Sequence, residues 1–381
     1  MGKIYTAMGL MSGTSLDGVD VSIIESDGKS DYSSILDRYY EYDDKLIQKI
    51  HEIRDKISNS KDLNKYQQEI KDLERDITLF NYKAVNETIK IANSEINVIG
   101  FHGQTIFHNP KEKISKQLGD GKLLSQLSKK KVVYDFRKND LDNGGQGAPL
   151  ASIFHNVMAN KISKKFDLRF PINILNIGGI ANVTITADEK RLWKKDKIYS
   201  YDIGPGNCLI DEWMRKNSKK KYDVKGSTSK NGKIDELILN QALENFSQNQ
   251  NYEKSLDVKN FDIFFAKGLS LENGAATITN FTAKLLSDAI RYFNEKNKTS
   301  TNRWLVCGGG RKNLYLLESI KKNFLELHLD PIEKYEIDGD FVESQAFAFL
   351  AIRTLEGMPI SFPSTTRCKE FLTGGVLVEN Y

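Results

Sequence analysis

The sequence predicts an α/β protein in which one α/β unit is used twice. Two observations carry this. Short apolar runs bounded by glycine-rich turns alternate with longer segments whose apolar residues recur at helical spacing, and the order of strands, helices and strand is met twice. The chain also has 381 residues, which at ~150 residues per domain is room for two domains. The division expected is 1–131 plus 356–381 for the first domain and 132–355 for the second.

Residues 4–11 and 19–25 read as strands around a polar, glycine-rich turn, and 35–42 as a third strand. From 44 to 93 the spacing of Ile47, Ile50, Ile53, Ile57, Ile70, Leu73 and Ile77, with charges between, predicts a pair of amphipathic helices. A short strand at 96–101 completes the first set. In the second set 132–135 is a strand, and a helix starts near Pro149, where proline suits the first turn. Strands follow at 172–177, 181–186, 198–203 and 304–307, helices at 234–246, 276–293 and 314–324, and a strongly apolar helix at 341–355. The tail from Pro359 is expected to close back on the first domain.

Composition excludes several function classes. With 55 basic and 51 acidic residues the net charge is +4, too small and too mixed for a nucleic-acid partner, and the lysine runs at 129–131 and 219–221 read as loop surface. No run of ~18 apolar residues is present, so no membrane-spanning helix is expected. Cys208, Cys307 and Cys368 form no CxxC pair and read as free thiols of a cytoplasmic protein without a leader peptide. There is no GxxxxGK[ST], no GxSxG and no HExxH, and Gly204-Pro205-Gly206-Asn207-Cys208-Leu209 lacks the third glycine of a dinucleotide fingerprint.

What remains is three polar turns, each at the end of an apolar strand. The first is Gly13-Thr14-Ser15-Leu16-Asp17-Gly18-Val19-Asp20. Its glycines let backbone N–H groups approach an anion, its hydroxyls add donors, and Asp17 and Asp20 suit a hydrated Mg²⁺. An ordinary hairpin loop explains it as well. The second, Asp202-Ile203-Gly204-Pro205-Gly206-Asn207, sets a carboxylate at a strand tip beside a helix N-terminus suited to anions. Asp202 as a structural turn-former is the alternative. The third is Gly308-Gly309-Gly310-Arg311-Lys312-Asn313, where glycines let a flat ring lie against the backbone and Asn313 caps a helix.

Their order resembles the sugar kinase/actin/Hsp70 superfamily: phosphate loop one, phosphate loop two, adenosine loop. That resemblance implies two related ribonuclease-H-like, actin-like ATPase domains with a nucleotide cleft between them. A closer resemblance is to the anhydro-N-acetylmuramic acid kinase family. It rests on the opening Gly9-Leu10-Met11-Ser12-Gly13-Thr14-Ser15-Leu16-Asp17-Gly18-Val19-Asp20, then Gly100-Phe101-His102-Gly103-Gln104-Thr105 and Asp135-Phe136-Arg137. It continues through Gly144-Gly145-Gln146-Gly147-Ala148-Pro149-Leu150, Asn176-Ile177-Gly178-Gly179-Ile180-Ala181-Asn182 and the second and third turns. The sequence departs from the family at Ile203, where threonine is common, and at Thr365-Thr366-Arg367-Cys368-Lys369-Glu370, where a smaller Gly/Ala-rich segment is usual.

The resemblance implies a reaction in which water opens the 1,6-anhydro bridge of the sugar and ATP, with Mg²⁺, phosphorylates O6. The expected base is Asp202, whose carboxylate needs only a hydrogen bond to the water. Gly13 to Asp20, Gly204, Gly206, Asn207, Gly308, Gly309, Gly310 and Asn313 are expected to bind ATP, and Asp17 and Asp20 the metal. His102, Gln104, Arg137 and Glu343 are expected on the sugar side, although the first three suit the holding of turns equally and Glu343 also suits a helix N-terminus. An ATPase switch and another small-molecule kinase share the three turns. The sequence leaves the oligomeric state open, a homodimer included.

Overall fold

A computed structural model describes residues 3–13, 15–188, 198–247, 252–296 and 303–381. In chain order its elements begin with β1 (Tyr5–Ser12), β2 (Gly18–Ser26), β3 (Tyr32–Glu41), α1 (Asp44–Lys56), α2 (Ser60–Lys65), α3 (Gln67–Ala92), β4 (Val98–Asn109), β5 (Ile114–Leu118), α4 (Gly121–Ser128), β6 (Val132–Tyr134), α5 (Lys138–Asp142) and α6 (Ser152–Phe166). They continue with β7 (Asn173–Ile177), β8 (Ile180–Ile185), β9 (Tyr199–Pro205), α7 (Cys208–Asn217), α8 (Ser227–Lys230), α9 (Glu236–Ser247), α10 (Leu271–Lys296), β10 (Arg303–Cys307), α11 (Leu314–Asn323), β11 (His328–Pro331), α12 (Val342–Leu355), α13 (Pro363–Thr366) and β12 (Val376–Val378).

The chain divides into two compact units. One is Met1–Lys164, Glu189–Tyr199 and Asp340–Tyr381; the other is Lys165–Asp188 and Ser200–Gly339. The first holds a sheet of order β12-β6-β4-β1-β2-β3 with β5 paired to β4, and the second a sheet of order β11-β10-β7-β8-β9. Read from the meander edge, these are the same order: β3-β2-β1-β4-β6 and β9-β8-β7-β10-β11. In both, the first two strands pair antiparallel and the first strand also pairs parallel with the fourth. This is the expected α/β unit used twice, with a ribonuclease-H-like strand order.

In the first unit β1, β2 and β4 present Met8, Leu10, Val21, Ile23 and Ile99 to Ile50, Ile53, Leu73 and Ile77 of α1 and α3, all buried. α1 begins where the Asp43 carboxylate accepts the Leu46 N–H at 2.8 Å. The opposite face is covered by α12. Gly9 and Gly100 face one another across β1 and β4. A Cβ on Gly9 would lie 1.9 Å from Ser344 O, and one on Gly100 2.2 Å from Phe347 O. The helix therefore rests on bare backbone. Ser344 Oγ meets Ser22 Oγ at 2.6 Å, and Gln345 Nε2 donates to the Asp37 carboxylate. In the second unit α10 is the central helix. Its Phe293 stacks on Tyr201 of β9 with ring centroids 4.1 Å apart, and its Ser287 hydroxyl donates to Ile320 O of α11.

The boundary differs from the expected one. Residues 132–164 and 340–355 lie in the first unit because β6 pairs with β4 and α12 packs on β1, β2 and β4. The tail closes back on the first domain as expected, with β12 antiparallel to β6. The helical segment expected from 44 to 93 is three helices, and β5, α4 and β11 were not foreseen.

Gly100→Ala is expected to cost at least about 2–3 kcal/mol of stability, since a methyl group meets helix backbone that has no rotamer to yield. Denaturant unfolding of the folded fraction checks this; a cost under 1 kcal/mol would mean that α12 is free to slide.

Candidate active site

The first turn joins β1 to β2. Leu16 sits in the left-handed region with φ +61, its side chain fully buried, and Val19 is fully buried too. Their side chains belong to the core, so any ligand contact from these positions is made by backbone. Ser15 Oγ donates to Asp17 Oδ1 at 2.5 Å, and Asp17 O accepts the Tyr42 N–H at 2.9 Å. Thr14 lies outside the described residues. The turn's glycines differ in what they answer to. A Cβ on Gly18 would lie 2.4 Å from Tyr40 O and 2.6 Å from the Tyr39 ring. Among the described residues one on Gly13 meets only Ser15 Oγ, at 3.6 Å. Packing demands glycine at 18 and not at 13.

Asp17 and Asp20 both act electrostatically on the Tyr39 and Tyr42 hydroxyls, which burial foremost holds above the ordinary tyrosine range. Two hard carboxylates near one turn fit Mg²⁺. Among the described residues no group of three or more His, Cys, Asp or Glu side chains forms a cage. The residues present fit a cation that keeps most of its shell as water and phosphate.

Gln104 is fully buried, and its Nε2 donates to Gly13 O at 2.9 Å, which ties β4 to the first turn. Its Oε1 is buried and, among the described residues, has no hydrogen-bond partner. On the same strand His102 packs against Phe347 of α12 with ring centroids 4.5 Å apart. Its Nδ1 lies 2.8 Å from Gly103 O and its Nε2 2.9 Å from Arg137 Nη2. A guanidinium only donates, so Nε2 accepts and Nδ1 carries the proton. Arg137 Nη1 donates to Gly147 O at 2.8 Å. Burial, and then the Arg137 charge, hold the His102 pKa well below the ordinary value. The same two causes push nearby His108 down to about 3. Glu343 lies in the first turn of α12, where the helix dipole favours a carboxylate. The structure thus brings Gln104 to the first turn, and His102 and Arg137 together against the helix that carries Glu343.

The second and third turns meet in the second unit. Asp202 on β9 is 7% exposed, and its Oδ2 accepts the Leu256 N–H at 2.9 Å. The N–H groups of Gly206 and Asn207 donate to Gly179 O and Gly178 O at 2.9 and 2.8 Å, and that of Cys208 to Gly179 O at 3.2 Å. The start of α7 is therefore partly occupied by carbonyls of the β7–β8 turn, and is less open to an anion than the sequence implied. A Cβ on Gly206 would lie 2.1 Å from Gly178 O; on Gly204 it meets Leu285 Cβ at an ordinary 3.6 Å.

In the third turn Gly308 has φ +76 and abuts Asn176 and Ile177, and Gly310 abuts Ile177. Only Gly309 has room, its nearest neighbour being Asn207 Nδ2 at 3.6 Å. Asn313 Oδ1 accepts the Leu316 N–H at 3.0 Å, the expected cap. Arg311 holds the turn from below, donating to Gly308 O at 3.0 Å and pairing with Glu333. The sequence reading missed the part of Gly178 and Gly179. The signal was there, as the glycine pair in Asn176-Ile177-Gly178-Gly179, but it needed strand pairing to acquire a partner.

A strand order used twice, with a glycine-rich turn closing a strand in each unit, defines an α/β protein built from two units of ribonuclease-H-like strand order. The chain belongs to the anhydro-N-acetylmuramic acid kinase family, whose model matches residues 5–380. It is 51% identical to the anhydro-N-acetylmuramic acid kinase of Pelagibacter ubique over 385 residues, covering 100% of both chains. It is 35% identical to that of Agrobacterium fabrum, with 99% of this chain and 100% of the relative covered. Among solved structures, an activator of 2-hydroxyisocaproyl-CoA dehydratase from Clostridium difficile with bound ADPNP aligns at TM-score 0.43 and 12% identity, over 92% of this chain and 96% of that one. A likeness at that level bears on neither substrate nor mechanism. Membership makes the chain a kinase and ATP its phosphoryl donor. Among the described residues no helix is long and apolar enough to cross a membrane.

Two predictions follow from this geometry. Gly13→Ala should leave the melting temperature nearly unchanged and weaken ATP binding, whereas Gly18→Ala should lower the melting temperature by several degrees. Calorimetry of ATP binding with thermal melts of both variants separates ligand space from packing; full ATP affinity in Gly13→Ala would make the first turn an ordinary hairpin. The second concerns pH. His102, His108 and His155, the last held at about 4 by burial, refuse protons that the unfolded chain accepts below about 6.5. Stability is complete above that value and is lost as pH falls toward the folded values. Unfolding free energy should drop by roughly 2–4 kcal/mol between pH 7.5 and 5.5 in denaturant titrations. A flat profile would mean that these imidazoles take up protons as readily in the folded state as in the unfolded chain.

Proposed function

We propose that the chain hydrolyses the 1,6-anhydro bridge of 1,6-anhydro-N-acetylmuramic acid and phosphorylates O6 from ATP, giving N-acetylmuramate 6-phosphate and ADP, in cytoplasmic recycling of cell-wall sugar. The full-length match to the family carries this reading. In the proposed mechanism Asp202 takes a proton from water as that water attacks the anomeric carbon. The C1–O6 bond breaks, and O6 attacks the γ-phosphorus with ADP leaving. The hydrogen bond from Leu256 supports this role for Asp202, since it fixes one carboxylate oxygen in a buried site. Backbone at Gly13 and Gly309 is read as facing the nucleotide, because packing leaves room there. Asp17 and Asp20 would hold Mg²⁺, largely through water; when bound, the ion neutralises phosphate charge. His102, Gln104, Arg137 and Glu343 are read as the sugar side.

Reaction in ¹⁸O-water, quenched early, should place label on the anomeric oxygen and none on the phosphate. Asp202→Asn should lower turnover about 10²- to 10⁴-fold with ATP binding kept. An unlabelled anomeric oxygen would replace this reading with a plain sugar kinase. Unaltered turnover per folded Asp202→Asn molecule would move the base to Asp17, Asp20 or Glu343.

A further inference from the structure

Asp140 of α5 is a carboxylate only 1% exposed, and the proposed chemistry does not use it. Its Oδ2 accepts the Gly147 N–H at 2.6 Å, and its Oδ1 accepts the Thr366 hydroxyl. Gly145 makes the room: a Cβ there would lie 2.1 Å from Asp140 Oδ2. The backbone repeats the attachment. Gly145 N donates to Asp140 O at 2.8 Å, and Gln146 N to Thr366 O at 2.7 Å. The loop between α5 and α6 is thus gripped at 145, 146 and 147, from α5 on one side and from α13 on the other.

The grip continues inward. Gly147 has φ +70, so that its N–H faces Asp140 while its carbonyl accepts Arg137 Nη1 at 2.8 Å. Arg137 Nη2 donates to His102 Nε2 at 2.9 Å, and His102 Nδ1 meets Gly103 O. One unbroken series of hydrogen bonds runs Thr366, Asp140, Gly147, Arg137, His102. A charged acceptor makes bonds roughly twice as strong as a neutral one, and burial protects them from water.

We propose that Asp140, braced by Thr366, is a positioning residue for sugar binding. It sets the place of the 144–149 loop, and Gly147 in turn sets the Arg137 guanidinium and the single tautomer of His102. The proposal rests on the sugar-side reading of Arg137 and His102. It also gives a role to the C-terminal segment 365–370, in which Thr366 is the outer anchor.

The test is steady-state kinetics of the full chain with the anhydro sugar and with ATP, for four variants and a control. Asp140→Ala should raise the KM for sugar about 10- to 100-fold, and Thr366→Val about 3- to 10-fold, with the KM for ATP unchanged. Asp140→Asn can still accept from Gly147 and meet Thr366 through its amide, and Thr366→Ser keeps the hydroxyl. Both should stay within about 3-fold of the parent. Should Asp140→Ala fail to fold, the Thr366 pair carries the test. The control is Arg137→Ala. If it raises the sugar KM while Asp140→Ala and Thr366→Val do not, the positioning role is wrong and the sugar-side reading stands. If Arg137→Ala leaves the sugar KM unchanged, the sugar-side reading itself falls and the proposal with it. Equal rises in both KM values for Thr366→Val would overturn the proposal in favour of a general structural role.

Discussion

The first unit depends on one contact, the seating of α12 on the bare backbone of Gly9 and Gly100. Two neighbouring strands give up their side chains at one level, and a helix from the far end of the sequence takes the space. Everything on that face follows from the seating. Ser344 reaches Ser22, Gln345 reaches Asp37, and Phe347 comes to lie against His102 and Phe136. Seated any higher, the helix would lose those polar partners in a buried layer, where an unmade hydrogen bond costs about 1–3 kcal/mol. The first turn of α12, with Glu343, is fixed by the same register.

The glycines of the three turns show why a glycine-rich motif is an ambiguous signal. Gly18, Gly206, Gly308 and Gly310 are each required by a neighbouring backbone or side chain that a Cβ would strike. Gly13, Gly204 and Gly309 are not. A sequence shows both kinds as the same letter. The structure separates glycine kept for packing from glycine whose missing side chain leaves space on the outside of a turn. Close approach of a ligand to backbone is a sufficient reason for the second kind. The first and third turns each contain one such position, whereas Gly204 faces Leu285 and Leu286 of α10; in the second unit two of the turns meet where Asn207 lies beside Gly309.

Strand periodicity and turn chemistry made most of the fold legible. The strands at 4–11, 19–25, 172–177 and 304–307 are apolar runs punctuated by glycine, and those signals are local. The domain boundary was not legible. It depends on β6 pairing with β4 and on α12 crossing back to β1, which are contacts between segments far apart in sequence. β11 and β12 were missed for a related reason: strands of three or four residues carry too little alternation to stand out. At the site, residue types were legible but not their commitments. Nothing in the sequence shows that the N–H groups of Gly206 and Asn207 are already spent on Gly178 and Gly179. Nor does it show that Asp140 and Thr366 hold the Gly-Gly-Gln-Gly loop from both sides.

The state of His102 narrows the choice of base. Histidine is the residue most often used to move a proton near neutral pH. Its surroundings remove it from contention. Burial and the Arg137 charge keep the ring neutral, and the Nε2 lone pair that would accept a proton already accepts the guanidinium. His108, held at about 3 by burial and the same guanidinium, is too weak a base at neutral pH. A carboxylate differs in having two oxygens, so that one can be anchored by a backbone N–H while the group still accepts from water. In Asp202 a backbone N–H, that of Leu256, anchors Oδ2. His102 therefore acts as an acceptor that orients Arg137, and the search for a base turns to the carboxylates.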